Sequence, residues 1–150
     1  MLVSVTRLRV RRLRDLAAFL WQTYSSNRQV MRASGFRGGR LLVDRHRTFW
    51  TLTAWEDERA MKAFRGSGAH AKVMPRLFQW CDEAAYAHWI TSDPKLAEWP
   101  EAYERLVSEG RLSRVALPSV DHTAGRFPPP RVKPLIGREI DPLPYKKTAA

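Results

Sequence analysis

The run Thr48-Phe49-Trp50-Thr51-Leu52-Thr53-Ala54-Trp55 restricts this chain more than any other segment. β-Branched and aromatic residues fill it, which suits a pleated strand. A strand sends alternate side chains to opposite faces. Trp50 falls on one face here, and Thr51, Thr53 and Trp55 on the other. Both faces carry bulk, so a sheet built around this strand needs a cover on each side.

The neighbouring segments supply the rest of that sheet. Met1 to Arg9 reads as a first strand, with Val3 and Val5 on one face and Ser4 and Thr6 on the other. A helix is expected from Arg12 to Ala33, its apolar stripe made by Leu13, Leu16, Ala17, Leu20, Tyr24 and Met31, with Gly35 as its stop. Phe19, Trp21 and Val30 lie off that stripe and suit either a wide buried face or a second surface. Gly38-Gly39 reads as a turn before a second strand over Arg40 to His46. About two residues then separate it from the third strand, which implies an antiparallel hairpin. Glu56, Asp57 and Glu58 open a helix whose inner face is Ala60, Met61 and Phe64. Another helix is expected from Ala69 to Trp80, with Pro75 kinking it or marking its start, and then a fourth strand from Glu83 to Trp89.

The order is β-α-β-β-α-β. With right-handed crossovers this is an α+β, ferredoxin-like sandwich: a four-stranded antiparallel sheet with helices on one face. Residues 1–90 make that domain. Its open face must be covered by a partner subunit or by residues 91–150, a C-terminal helical and Pro-rich extension. There Leu96, Trp99, Tyr103 and Leu106 fall at helical spacing, and Pro100 is expected to split the helix. Seven of the ten prolines lie beyond Leu117, so that part reads as an extended arm without a core of its own.

Charge and composition narrow the function classes. The chain carries 26 basic and 15 acidic residues, a net charge of +11. Residues 1–50 hold 11 basic and 2 acidic groups, residues 51–100 hold 6 and 7, and residues 101–150 hold 9 and 6. Twenty of the 26 cations are Arg, a bias that a GC-rich genome also produces. Nucleic-acid binding is therefore not the preferred reading. The β-α-β-β-α-β order is shared with RNA-recognition domains, and Arg47, Phe49 and Trp50 sit where stacking aromatics would. The Gly-aromatic core of such domains is missing, however, and the first strand has no aromatic. The lone Cys81 excludes an internal disulfide and a Cys-rich zinc module. His46, His70, His88 and His122 lack metal-ligand spacing, so no metal is expected. No nucleotide-cofactor motif and no membrane span is read, and the default location is cytoplasmic.

The third strand, Trp55-Glu56-Asp57, Ala60-Met61-Lys62-Ala63-Phe64, Gly68-Ala69-His70, Trp80-Cys81-Asp82-Glu83-Ala84 and His88-Trp89 together resemble the dimeric α/β-barrel superfamily of antibiotic-biosynthesis-monooxygenase-like proteins. Within it the chain looks most like a bacterial family of unknown function related to spheroidene monooxygenase. The resemblance covers about residues 1–90. It implies a homodimer that pairs two sheets face to face and holds a small ligand between sheet and helices. Members include cofactor-free oxygenases, haem-dependent enzymes and non-catalytic proteins, so the fold does not fix the function. In the haem-degrading members a tryptophan lies nine residues after the strand-ending Trp, where this chain has Phe64, and their ligand histidine falls later than His70. Both departures weaken haem degradation.

His70 could accept a proton or ligate haem, or it is a capping or core histidine. Arg7 could orient an oxygen anion, because a buried guanidinium needs an anionic partner; alternatively it reaches solvent at the strand end. Trp50, Thr51 and Thr53 could bind a substrate in an apolar pocket, or they are ordinary strand residues. Phe64 and His88 complete the substrate-binding set, with a surface position the alternative for His88. Cys81 reads as a small buried hydrophobe. Two functions fit: a monooxygenase-like enzyme acting on a small apolar or aromatic ligand, or a non-catalytic dimer that binds one.

Overall fold

The computed structural model describes residues 1–131 and the backbone of residues 138–143. Strands β1 (Leu2–Val10), β2 (Phe36–Asp44), β3 (Thr48–Trp55) and β4 (Cys81–Ile90) alternate with helices α1 (Leu13–Val30), α2 (Glu58–Arg65) and α3 (Gly68–Trp80). After them come α4 (Trp99–Glu109), β5 (Arg111–Leu112), α5 (Val120–Thr123) and β6 (Arg138–Leu143). The sheet order is β5-β4-β1-β3-β2-β6, with antiparallel neighbours throughout. Its centre is the expected ferredoxin-like sheet, widened by one short strand at each edge.

Several local expectations need correction. Strand β2 begins at Phe36, and Gly38-Gly39 lies inside it. The ladder with β3 shifts register between Phe36 and Gly38, so the glycines mark a bulge and not a turn. The turn before β2 belongs to Gly35 alone. Its φ is +75°, and a Cβ there would meet the Ala60 Cβ at 2.6 Å. Arg45–Arg47 closes the β2–β3 hairpin as a tight three-residue turn, with His46 and Arg47 both at positive φ. Helix α3 runs from Gly68 straight through Pro75, so the proline is not its start. Pro100 does not split the last helix. It sits in the first turn of α4, where its missing N–H has no helical partner to lose.

The largest correction concerns α1. The buried residues of that helix are Phe19 and Val30, while Leu13, Leu20, Tyr24 and Met31 of the expected stripe are exposed. Polar residues share the inward side with Phe19 and Val30 and disguise it. Thr23 donates to the Phe19 carbonyl, and Gln29 donates to the carbonyls of Phe64 and Ser67, tying α1 to the α2–α3 junction. Helix α1 also lies antiparallel to α3: Arg11 N–H bonds the Trp80 carbonyl at one end, and Gln29 receives the His70 N–H at the other.

Each sheet face has its own core. On the helical face Leu2, Trp55, Met61 and Val30 pack together with Phe36, Ala60 and Phe64. On the opposite face Val3, Val5, Trp50, Leu52 and Trp89 pack under Trp99, Ala102 and Leu106 of α4, with Phe127 at the margin. The second cover is therefore supplied by the chain itself. Residues 113–119 run back along β4 and α3, with Ser113, Ala116 and Ser119 donating N–H groups to the carbonyls of Ala84, Phe78 and Asp82. The remainder of the proline-rich arm, residues 132–137 and 144–150, lies outside the described residues.

Candidate functional site

Strand registers sort the candidate residues before any contact is considered. Ser4 pairs with Thr53 on one side and His88 on the other; Thr6 pairs with Thr51 and Tyr86. Two polar rows, His88–Ser4–Thr53 and Tyr86–Thr6–Thr51, thus cross three strands on the helical face. Apolar contacts bound them at both ends. The Phe19 ring of α1 meets Phe49 at 4.7 Å beyond one row, and the Leu2–Trp55–Met61 cluster closes the other.

This band lies on the side where the helices sit, yet Thr6, Thr51, Thr53, Tyr86 and His88 are only half buried. Thr53 accepts a hydrogen bond from Trp55 Nε1 at 3.0 Å. The Tyr86 ring lies 5.1 Å from the His88 ring. Burial, and then the charge of Arg65, holds the His88 imidazole below its ordinary pKa, against the pull of Glu58. At neutral pH His88 is a neutral donor–acceptor facing charged side chains of α2.

His70 stands at the start of α3. Its ring meets Phe64 at 4.7 Å, and Phe64 in turn meets Trp55 at 5.2 Å. Its Nδ1 lies 3.3 Å from the Arg65 carbonyl. A carbonyl only accepts, so this contact selects the Nδ1–H tautomer and leaves Nε2 with a free lone pair. Burial lowers the His70 pKa, outweighing that backbone bond. The imidazole is therefore a neutral base anchored between Phe64 and a main-chain carbonyl.

Arg7 and Trp50 are on the other face. Arg7 is 2% exposed, donates from Nη1 to Glu83 Oε2 at 2.5 Å, and lies over the rings of Trp50 and Phe127 at 5.5 and 5.3 Å. Arg9 Nη1 reaches the other Glu83 oxygen at 2.7 Å, and Ser119 donates to that oxygen at 2.9 Å. The anionic partner that burial demands is thus internal. The structure groups Thr51, Thr53 and His88 on one face, places Phe64 and His70 beside them through Trp55, and separates all five from Arg7 and Trp50.

Ser4, Thr6 and Tyr86 join the polar band although sequence reasoning did not select them. Alternation along each strand placed them on the correct face, but only cross-strand register brings them into one row. Cys81 is fully buried, and burial followed by Asp82 pushes its thiol up to about 12, so it stays protonated. Trp50 is buried, and Phe49 is half buried against Phe19 on the opposite face, so β3 presents no pair of exposed aromatics for stacking bases. No cluster of His, Cys, Asp and Glu among the described residues could hold a metal ion. A separate open cleft of about 940 Å³ lies between α1 and α2 and shares only Phe64 with the candidate residues.

The family profile described as antibiotic biosynthesis monooxygenase matches residues 1–76. The chain belongs to that family. The match spans β1 to α3 and so includes Ser4, Thr6, Thr51, Thr53, Phe64 and His70, but not β4. Solved structures of similar fold include an antibiotic biosynthesis monooxygenase at 11% identity and TM-score 0.55, covering 62% of this chain and all of that one. A Nitrosomonas europaea protein of unknown function matches at 19% identity and TM-score 0.54, with 65% of this chain and 94% of that one covered. SnoaB, a cofactor-independent oxygenase from Streptomyces nogalater, matches at 18% identity and TM-score 0.50, with 65% and 97% covered. Among curated proteins nothing matches. These likenesses place the fold in the antibiotic biosynthesis monooxygenase family without singling out a branch related to spheroidene monooxygenase. The family match ends at residue 76, before α4 and the arm.

Proposed function

We propose that this chain is a monooxygenase-like protein that binds a small aromatic ligand between its sheet and its helices. The polar band carries the reading. Thr6, Thr51, Tyr86 and His88 are half buried, flanked by apolar contacts, and make no side-chain hydrogen bond with the described residues. Such groups inside an apolar setting orient a ligand that brings its own hydroxyl or carbonyl. A polyphenol or a quinone precursor has that chemistry: a flat apolar ring for Phe64 and Phe49, with oxygens for the threonines.

His70 and His88 are the bases available to such a ligand. With Nδ1 engaged by the Arg65 carbonyl, His70 presents Nε2 as the atom that takes a phenolic proton. Neutral imidazoles near pH 7 suit that task. Removing the proton makes the ring electron-rich enough to react with molecular oxygen, and the threonine hydroxyls hold the ring oxygens while it does. Haem fits these residues less well. The Phe64 ring lies against the His70 imidazole, and the open α1–α2 cleft does not reach His70.

Oxygen uptake with hydroquinone-like substrates tests the enzymatic reading. Wild type should consume oxygen above the substrate blank. His70→Ala should lower the rate by about 10²-fold or more, the usual weight of a general base. Uptake equal in wild type and His70→Ala would remove His70 as the base. Saturable ligand binding without uptake would instead support the non-catalytic alternative. A haemin titration that leaves the Soret band unshifted is expected, and a shifted band lost in His70→Ala would restore haem.

A further inference from the structure

Helix α1 turns the wrong side out for a free surface. Leu13 is 72% exposed, Trp21 65%, Tyr24 54% and Leu20 45%, and Met31 continues the same line. Leu13, Leu20, Tyr24 and Met31 fall within about 40° of one another around the helix axis and run its full length, about 27 Å. Helix α3, antiparallel beside it, exposes Met74 and Phe78 as well. Exposed apolar side chains aligned along a whole helix mark a contact surface.

Charge says what the contact is. From Arg11 to Arg32 the chain has five arginines and one acid, Asp15, which is half buried. Helix α3 adds Lys72 and Arg76 with no acid. Arg28 and Arg32 have no side-chain partner among the described residues, and their acidic neighbours across the cleft are engaged: Glu56 with Arg37, and Asp57 as the cap of α2. A second copy docked antiparallel through this strip would bring the Arg11–Arg14 end of one helix onto the Arg28–Arg32 end of the other. Nucleic acid would find the cations but would have no use for exposed Leu and Met. Leu13, Leu20 and Met31 stand outside the α1–α2 cleft, whose α1 wall is made by Trp21, Tyr24, Arg28 and Arg32.

We infer that the outer face of α1 docks on an anionic lipid surface. Leu13, Leu20 and Met31 enter the acyl boundary, Trp21 and Tyr24 lie at headgroup depth, and the flanking arginines reach lipid phosphates along their apolar stems. This is a peripheral contact, since no helix among the described residues is long and apolar enough to cross a membrane. It does not depend on the proposed oxygen chemistry.

Flotation of the full chain with vesicles tests it. Binding to phosphatidylglycerol-containing vesicles is expected at low salt, with at least about tenfold weaker binding to pure phosphatidylcholine and weakening as ionic strength rises. Leu20→Glu with Trp21→Glu should reduce anionic-vesicle binding by a further tenfold or so while leaving circular dichroism and thermal midpoint unchanged, because both residues are exposed. Arg28→Glu with Arg32→Glu should do the same. Three results would overturn the inference. The first is no co-flotation at low salt. The second is binding insensitive to Leu20→Glu/Trp21→Glu, the mark of charge attraction alone. The third is a dimer in light scattering that Trp21→Glu dissociates, or an acidic protein partner bound through the same residues in preference to vesicles.

Discussion

Glu83 is 1% exposed, and both of its carboxylate oxygens are in use. One takes Arg7, buried between two aromatic rings; the other takes Arg9 and the Ser119 hydroxyl. Removing one member of a buried pair leaves the other charge without compensation, a loss of about 3–5 kcal/mol. Glu83→Ala should therefore cost that much in urea unfolding, while Glu83→Gln should cost less because Ser119 and one arginine keep an acceptor. A Glu83→Ala variant as stable as wild type would mean that the Arg7 charge finds another outlet.

His70 and His88 set a pH dependence of known sign. Burial lowers both values below the ordinary 6.5. Between the folded and unfolded values the unfolded chain binds more protons, so acid favours unfolding. Their contribution is complete above pH 6.5 and is lost as pH falls below it toward the depressed folded values. The thermal midpoint should drop between about pH 7 and about pH 5.5, and the slope should flatten in a His70→Gln/His88→Gln variant. A slope unchanged in that variant would assign the effect to carboxylates.

At the scale of elements, α4 shows how a helix outside the matched family segment becomes part of the core. Trp99 is 2% exposed and Leu106 1%, both against β1, β3 and β4. Trp99→Ala should cost about 3–5 kcal/mol, the range for an aromatic truncated in a packed core. A loss under about 1 kcal/mol, typical of surface positions, would show that α4 rests loosely on the sheet. Helix α1 teaches the opposite lesson. Its apolar spacing was legible, but spacing marks a stripe without saying which way the stripe points. Thr23 and Ser26 occupy the inward side of this helix and Leu13 the outward one. A reading that equates apolar with buried turns the helix over.

At the scale of the whole molecule, the sheet is covered twice by one chain. The resemblance implies a homodimer paired sheet to sheet, through the face that α4 occupies here. Residues beyond Gly110 hold that cover in place: Ser119 is bonded to Glu83, the His122 ring receives the Ala84 N–H, and Tyr103 donates to the Phe127 carbonyl. Truncation after Gly110 should therefore lower the thermal midpoint by several degrees and expose apolar surface to a hydrophobic dye. A truncated chain with an unchanged midpoint would reduce the arm to an ornament. On the same reasoning, a homodimer in light scattering should strengthen when α4 is removed if it forms through the sheet face.

The sequence by itself determined the strand order, the alternation along each strand, the existence of three of the helices around that sheet, and the need for two covers. These are local properties, carried by residue type and by periods of two and 3.6 residues. It also separated Trp50 from Thr51 and Thr53, because strand alternation is strict. Only the tertiary structure decided which residues share a site. His88, Ser4 and Thr53 are far apart in the chain and become neighbours through ladder register, which depends on the pairing of whole strands. The rotation of α1, the role of Pro100, the seating of Arg7 on Glu83 and the identity of the second cover were settled in the same way. Each depends on what lies across a contact, and one segment read alone does not contain its partner.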